Sequence, residues 1–182
     1  MAHEPAADAA LLARYHAGDA AAFDELYARH KDALYHHARA LTRDDGLAED
    51  LLNESFLELA RQGDAARSAS SSLAPFLHTV LRRRAADRRR SDQSTRRREA
   101  GFSQQWVRER SDGVDPSQLA DLNRALGLLP TEQAEAVVLH AYAGLTFQEA
   151  ADVLDASINT VASRYRAALK RLAELMNEGS RA

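Results

Sequence analysis

Apolar side chains recur at every third or fourth position through most of this sequence, and this spacing limits the possible fold more than any other feature. One such stripe consists of Phe23, Leu26, Tyr27, His30, Leu34, Ala38 and Leu41. The stripe lines one side of an α-helix, and Asp19 is placed to cap its first turn. β-Branched residues are sparse, whereas Ala, Leu, Glu and Arg are abundant, and this balance disfavours a sheet. The sequence therefore predicts an all-α fold.

The predicted helices form two groups separated by a polar stretch. Helices of the first group are expected at about 9–17, 19–42, 47–61 and 73–90. The Ser-rich segment 63–72 predicts a flexible loop. In the second group one helix ends before Pro130, and Thr131 is placed to cap the next. We therefore expect two small helical domains, at 7–92 and 118–177, joined by a flexible linker at 93–117.

The second group carries the spacing of a helix-turn-helix. Thr146 and Glu149 form a capping box for a helix of about eight residues, and the three-residue connection Asp155–Ser157 follows it. Ala151 is small where the two helices must approach closely. Ser157 caps the longer second helix, which extends to about Met176. Its inward side chains are expected to be Val161, Tyr165, Leu169, Leu172 and Met176.

The exposed side of this last helix is polar and basic. Its exposed residues are expected to be Asn159, Thr160, Ser163, Arg164, Arg166, Ala167 and Lys170. Hydroxyl and amide groups near a helix N-terminus can reach base edges in the major groove, and basic side chains suit phosphates. The pattern indicates DNA binding, and a plain helical hairpin with a solvated basic face is the alternative.

The formal charge of −3 hides a strongly uneven distribution along the chain. Between Arg82 and Arg98 there are nine Arg against Asp87 and Asp92, while the segments on both sides are acidic. Such a block repels itself unless a polyanion or counterions screen it. It favours a nucleic-acid partner over the alternative, a solvated basic face on a linker helix.

A row of carboxylates marks the predicted helix 47–61. Asp50, Glu54 and Glu58 stand four residues apart, with Asn53 and Glu49 alongside. Each like-charge pair at this spacing disfavours the helix by about 0.2–0.5 kcal/mol. The row therefore suggests a basic protein partner, although an ordinary solvated face explains it equally well.

Several classes of protein are disfavoured. No nucleotide-binding, nucleophile-elbow or zinc-protease motif is present, so we expect no enzyme and no cofactor. His30 and His37 could share a face, but the sequence suggests no full set of metal ligands. No apolar run approaches the length of a membrane span, and the N-terminus lacks a secretory signal. The absence of cysteine fits the reducing cytoplasm, where we expect the protein to act.

Four segments in order resemble the extracytoplasmic-function group of bacterial RNA polymerase sigma factors. In the first group, 23–27 (FDELY), 48–57 (AEDLLNESFL) and 75–88 are similar to the first conserved domain of that family. In the second group, 128–133 (LLPTEQ) and 145–164 are similar to its second domain. The resemblance covers roughly residues 10–177, with the linker unmatched.

The resemblance implies a role for each group of residues. The residues implied to contact core RNA polymerase are Asp50, Asn53, Glu54 and Glu58. Recognition and melting of the minus-ten element fall to Phe76, His78, Arg82, Arg83, Asp87 and Arg88. Recognition of the minus-thirty-five element falls to Asn159, Thr160, Ser163, Arg164, Arg166 and Lys170. The implied partners are core RNA polymerase and promoter DNA, and an anti-sigma factor is a further candidate.

The chain departs from the family pattern at a few positions. Asp155 stands where the family often has Gly, and Asp tolerates a left-handed backbone there. Ala162 replaces a common Lys, which removes one expected phosphate contact. His78 stands where an aromatic residue is usual, and Arg83 where Asn is common.

Two other functions remain open from the sequence. A stand-alone helix-turn-helix regulator would bind duplex DNA without polymerase, and it is expected to do so as a dimer on paired half-sites. A helical interaction protein would use the acidic row alone and would not bind DNA. Charge reversal at Asp50 and Glu54 would leave the regulator unaffected but would impair polymerase binding by a sigma factor.

Overall fold

The computed structural model describes residues 5–69, 73–95 and 124–179, and every regular element in these ranges is helical. The all-α prediction is thus confirmed. The elements are α1 (Pro5–His16), α2 (Ala20–Thr42), α3 (Asp45–Ala69), α4 (Leu73–Thr95), α5 (124–128), α6 (Thr131–Val137), a π-helical turn (Val138–Tyr142), α7 (Phe147–Leu154) and α8 (Ile158–Gly179). Within the described ranges, none of these helices has the length and apolar character needed to cross a membrane.

Helices α1 to α4 form the first helical group around one apolar core. Leu26, Leu59 and Leu77 come from three different helices, and all are fully buried in it. The rings of Phe23 and Tyr27 pack against Phe56, with centroid separations of 6.0 and 4.7 Å. The apolar stripes identified from the sequence therefore meet in this core, as their helical spacing requires.

Capping contacts mark the start of α2, the end of α2 and the start of α3, near the positions that the sequence predicts. The Asp19 carboxylate accepts a hydrogen bond from the backbone N–H of Ala21 at the start of α2. After α2, Arg43 has a left-handed backbone with φ of 56°, and its N–H donates to the carbonyl of Arg39. Asp44 then accepts from the N–H of Leu47 at 2.9 Å in the first turn of α3. These contacts satisfy backbone groups that a helix end leaves without partners.

Helices α5 to α8 form the second helical group, which contains the predicted helix-turn-helix. Thr146 and Glu149 make both hydrogen bonds of the capping box at the start of α7. Asp155 follows α7 with φ of 51°, and Ser157 Oγ accepts from the N–H of Thr160 at 3.1 Å to cap α8. Ala151 is buried where α7 approaches α8. Each of these local predictions is confirmed.

Two local predictions are wrong. The expected loop at 63–72 is helical as far as Ala69, and residues 70–72 lie outside the described ranges. Ala65, Ala66 and Ala69 have high helix propensity, which outweighs the loop signal of the Ser and Gly residues. Thr131 does not cap α6, because Pro130 occupies the cap position and Thr131 is already helical.

The buried side of α8 also differs from the prediction. Leu169 and Met176 are 44% and 47% exposed, whereas Ala168 and Leu172 are buried. Val161, Ala168, Leu172 and Leu175 form the seam that packs inward. This seam lies to one side of the predicted stripe, because α8 rests on α6 through its small Ala168. The choice between two adjacent stripes depends on the neighbouring helix.

The two helical groups contact each other directly. Ala33 on α2 and Ala74 on α4 pack into the core of the second group, and Ala40 packs beside α5 and α6. Arg43 donates a hydrogen bond to the carbonyl of Leu129 at 3.0 Å. Of the predicted linker 93–117, residues 93–95 belong to α4 and the rest lie outside the described ranges. The domain boundaries therefore remain a prediction.

Candidate functional site

Helix α8 presents a continuous polar face to solvent. Asn159, Ser163, Arg166 and Lys170 are all exposed, and their spacing of four, three and four residues places them on one side of the helix. Thr160 lies beside this face and is half-buried, with its hydroxyl 2.8 Å from that of Ser157. The face combines short hydrogen-bonding groups near the N-terminus with cations one to two turns later, an arrangement suited to a DNA groove.

Arg164 points away from this face. Its guanidinium lies 3.1 Å from the carboxylate of Glu132 at the start of α6, within the second group. The predicted residue therefore lies on α8, but its side chain pairs α8 with α6. Sequence spacing alone did not reveal Glu132 as its partner.

The acidic row on α3 is less open than the sequence indicated. Side-chain exposure falls along it from 59% at Asp50 to 33% at Glu54 and 15% at Glu58. Arg88 on α4 pairs with both Asp50, at 3.1 Å, and Glu54. These partners raise the pKa of Arg88, chiefly through the hydrogen bond that Arg88 donates to Glu54. Asp50, at the N-terminal end of the row, is therefore the carboxylate of the row most accessible to a partner.

A second arginine completes the pairing of this row. Arg84 lies 2.6 Å from the Glu58 carboxylate, so α4 supplies two cations to the carboxylates of α3. Asn53 of α3, in contrast, is exposed to solvent between Asp50 and Glu54 in the sequence. Part of the Arg excess seen in the sequence is thus explained by intramolecular pairing. Arg84 was not among the predicted site residues, because only the packing of α3 on α4 brings it to the row.

The candidate minus-ten residues occupy different environments on α4. Arg83 is exposed, and Asp87 is exposed with its carboxylate bonded to Arg90. Phe76 packs against the first core, and Arg82 pairs with Glu135 of the second group at 3.2 Å. His78 is fully buried beside His37, one helical turn from Ala74 and Arg82, which contact the second group. The structure therefore does not gather these six residues on one open surface.

The histidines considered as metal ligands have other partners. His30 Nε2 lies 2.9 Å from the buried Asp8, and His37 contacts His78 and Glu135. In the part of the chain that the structure describes, no three His, Cys, Asp or Glu side chains converge on a possible metal position.

Family models and known relatives match both helical groups. The model of sigma-70 region 2 matches residues 26–95, and that of sigma-70 region 4 matches residues 119–172. The "ECF RNA polymerase sigma factor SigK" of Mycobacterium tuberculosis is 34% identical over 168 residues, covering 90% of each chain. The chain belongs to the ECF sigma factors. A SigK of Mycolicibacterium vanbaalenii is 32% identical, covering 90% of this sigma factor and 86% of the relative.

Solved structures agree with this assignment. The sigma factor RpoE of Bartonella quintana, in complex with the anti-sigma factor NepR, has a TM-score of 0.69 and 26% identity, over 85% of this sigma factor and 96% of RpoE. CnrH, in complex with the cytosolic domain of CnrY, has a TM-score of 0.61 and 25% identity, over 94% and 98% of the two chains. The predicted function, promoter-specific initiation with core RNA polymerase, is thus confirmed, and the stand-alone regulator is not favoured.

The two family matches locate the candidate surfaces. The acidic row and α4 fall in region 2, and the helix-turn-helix falls in region 4. Sigma factors are not an enzyme family, which agrees with the absence of a catalytic motif in the sequence.

Proposed function

We propose that this sigma factor divides promoter recognition between its two helical groups and binds core polymerase mainly through α3. The observation that carries the proposal is the exposed polar face of α8, held on a capped helix-turn-helix within region 4. Asn159, Ser163 and Arg166 read bases in the major groove of the minus-thirty-five element, with Thr160 at the edge of the face. Lys170 binds a backbone phosphate.

Arg164 has a supporting part in this arrangement. Its pairing with Glu132 fixes the orientation of α8 relative to α6. The pair therefore orients the exposed polar face of α8, here called the reading face, toward the DNA. Loss of Arg164 therefore weakens duplex binding indirectly, whereas loss of Arg166 removes a direct contact with a base. Removal of that base contact should cost about 1–3 kcal/mol of discrimination.

Binding of a minus-thirty-five duplex, measured by fluorescence anisotropy, tests the proposed reading face. Arg166→Ala should weaken binding and relax the sequence preference. Arg171→Ala is the matched control, because Arg171 is a cation of the same helix that pairs with Glu174 away from this face. Equal losses of affinity in both variants would show that only the overall charge of α8 matters.

The acidic row is the proposed contact with core polymerase. Asp50, Asn53, Glu54 and Glu58 all lie on α3, and the two most exposed are Asp50 and Asn53. We expect these two to meet a basic surface first. Arg84 and Arg88 hold Glu58 and Glu54 in place, so that the row is already ordered when the partner arrives.

Co-purification with core polymerase tests this contact. Asp50→Lys should greatly reduce the amount of core polymerase recovered. Asp24→Lys makes the same charge change at an exposed position of α2 and should leave recovery unchanged. If both variants retain full recovery, the acidic row is not the polymerase contact.

Promoter melting is assigned to α4. The residues proposed to bind the minus-ten element, here called the minus-ten surface, are Phe76, His78, Arg82, Arg83, Asp87 and Arg88, of which Arg83 and Asp87 are exposed in this structure. The sigma factor performs no covalent chemistry, and opening of the duplex is driven by binding energy on exposed bases and their phosphates. In an abortive-initiation assay on a mapped promoter, Arg83→Ala should slow open-complex formation, because Arg83 is the exposed cation of this set.

An anti-sigma factor is a further proposed partner, acting in the cytoplasm where core polymerase works. Support comes from the similar proteins RpoE and CnrH, which were solved with the anti-sigma factor NepR and with the cytosolic domain of CnrY. Affinity purification of the tagged full chain from its native host, followed by mass spectrometry, tests this. Recovery of core polymerase alone would count against such a partner.

A further inference from the structure

A buried polar cluster lies where the two helical groups meet. We call His37 of α2, His78 and Arg82 of α4, and Glu135 of α6 the interdomain cluster. His37, His78 and Glu135 are buried, and Arg82 is half-buried at its edge. A glutamate is rarely buried unless it is paired, so Glu135 requires these partners.

The distances define the hydrogen-bond order within the cluster. Glu135 Oε1 accepts from Arg82 Nε at 3.2 Å and from His37 Nε2 at 3.4 Å. His37 Nδ1 lies 2.9 Å from His78 Nδ1. Because a carboxylate can only accept, His37 Nε2 donates to Glu135, and one of the two Nδ1 atoms donates to the other.

The cluster favours the ionised form of Glu135. Burial acts to raise the pKa of this carboxyl, but the hydrogen bond and charge of His37 and the charge of Arg82 outweigh it. The net pKa therefore lies below its usual value. These partners come from α2 and α4, so their favourable effect on Glu135 exists only while the two groups are in contact.

The apolar part of this contact is made by small side chains. Ala33, Ala40 and Ala74 are the side chains of the first group that pack into cores of the second. Nearby, the ring of His36 lies 4.7 Å from that of Tyr142. These alanines allow the helices of the two groups to approach closely, and the polar cluster lies at the same contact, so loss of its pairing should shift the balance between closed and open forms.

We propose that the interdomain cluster is an autoinhibitory latch, which holds the free sigma factor closed and covers part of its minus-ten surface. This inference rests on the proposed role of α4. His78 and Arg82 belong to that surface, yet His78 is fully buried one helical turn from Ala74, which packs into the second group, and Arg82 is bonded to Glu135. In the closed form the single strand of the minus-ten element cannot reach the buried His78, and it must compete with Glu135 for Arg82.

The latch lowers the apparent affinity for the minus-ten strand by the fraction of molecules that are open. Glu135→Ala removes the shared acceptor and leaves His37 and Arg82 without it in the closed form. Coupling free energies of this kind typically change binding by about 5- to 150-fold. We therefore expect Glu135→Ala to bind a minus-ten single-stranded oligonucleotide at least about fivefold more tightly than the unmodified chain.

Glu132→Ala is the matched control for this substitution. It removes the same charge from the same helix, but Glu132 pairs with Arg164 inside the second group. Its effect on oligonucleotide binding measures the gain that comes from charge alone. A second variant, Ala33→Trp, wedges the contact open without any change of charge. It should also tighten binding.

Opening is measured separately by energy transfer between two dyes. The chain has no cysteine, so Ala28→Cys and Asn177→Cys, both exposed, provide two unique labelling positions in the two groups. Transfer efficiency should change in the Glu135→Ala and Ala33→Trp backgrounds and remain unchanged in Glu132→Ala. Circular dichroism confirms that each variant keeps its helices.

The outcomes separate the latch from the proposed function. Unchanged energy transfer in both folded variants would overturn the latch. Changed transfer with no gain in oligonucleotide binding beyond that of Glu132→Ala would overturn its inhibitory part. If no variant bound the minus-ten strand, even with core polymerase present, the proposed role of α4 would fail, while energy transfer would still decide whether the cluster holds the two groups together.

Discussion

The buried Asp8 anchors α1 to α2, and its replacement offers a sharp test of the packing described above. Asp8 Oδ2 lies 2.9 Å from His30 Nε2, and Asp8 Oδ1 accepts from Arg29 Nη1 at 2.8 Å. Asp8 and His30 are both buried, whereas Arg29 is partly exposed and also contacts Glu25 at 3.2 Å. The two contacts should therefore differ in their energetic weight.

The magnitude follows from these environments. Asp8→Ala deprives the buried His30 nitrogen of this acceptor, and such a loss typically costs about 1–3 kcal/mol. The Arg29 contact adds little, about 0.5 kcal/mol, because Arg29 keeps Glu25 and some solvent. We expect the unfolding free energy to fall by about 1.5–3.5 kcal/mol in total. For a chain of this size that corresponds to a drop of roughly 3–14 °C in Tm.

Urea unfolding followed by circular dichroism measures this loss. Asp24→Ala removes an exposed carboxylate from α2 and should change stability by less than about 0.5 kcal/mol. Adding His30→Leu to Asp8→Ala should recover part of the loss, because no imidazole is then left in an apolar site. A loss from Asp8→Ala no larger than that of the control would refute this account of α1 docking.

Three further predictions concern the second group and its contact with the first. Thr146→Ala removes the hydroxyl of the capping box and should lower stability by about 1 kcal/mol in urea unfolding; an unchanged midpoint would contradict this. Asp155→Val should cost about 1–2 kcal/mol because φ is 51° there, whereas Asp155→Gly should not destabilise; equal effects would show that the turn has relaxed. The closed form should be fully populated above the ordinary glutamate pKa of about 4.3 and should open as pH falls through the lowered pKa of Glu135, which faces His37 and Arg82. Energy transfer between the two dyes, recorded against pH, tests this, and a pH-independent signal would count against the ionised Glu135 as the acceptor.

Local features of this sigma factor could be predicted from sequence because their causes lie within a few residues. The Asp19 cap, the Thr146–Glu149 capping box and the Ser157 cap each depend on a side chain and a backbone N–H two or three positions away. The left-handed Asp155 follows from the same short-range sterics. The family was predicted from the resemblance of four segments, in the right order, to known sigma factors.

Features that depend on a neighbouring helix were predicted less well. Leu169 and Met176 were expected to be buried, yet the contact between α8 and α6 selects Ala168 and Leu172 instead. The extension of α3 to Ala69 was not predicted, because the Ser and Gly residues of 63–72 are typical of a loop, whereas the alanines among them favour helix.

The acidic row illustrates the limit on predicting a site. Periodicity placed Asp50, Glu54 and Glu58 on one face of a helix, which the structure confirms for α3. That Arg84 and Arg88 would meet this face could not be read from spacing, since they follow more than 25 residues later on another helix. The Arg block therefore has an intramolecular role that its sequence position did not reveal.

The sequence by itself determined the helical class, the caps and the helix-turn-helix, because helical period and short-range hydrogen bonds encode them, and the resemblance of its segments to known sigma factors indicated the family. Only the tertiary structure decided which charges are paired and which candidate residues are accessible. His78 and Arg82 look like surface residues of α4 in the sequence, but His78 is fully buried beside His37, and Glu135 of the second group pairs with Arg82. Burial and pairing are properties of elements that meet from distant parts of the chain, so no local pattern can specify them.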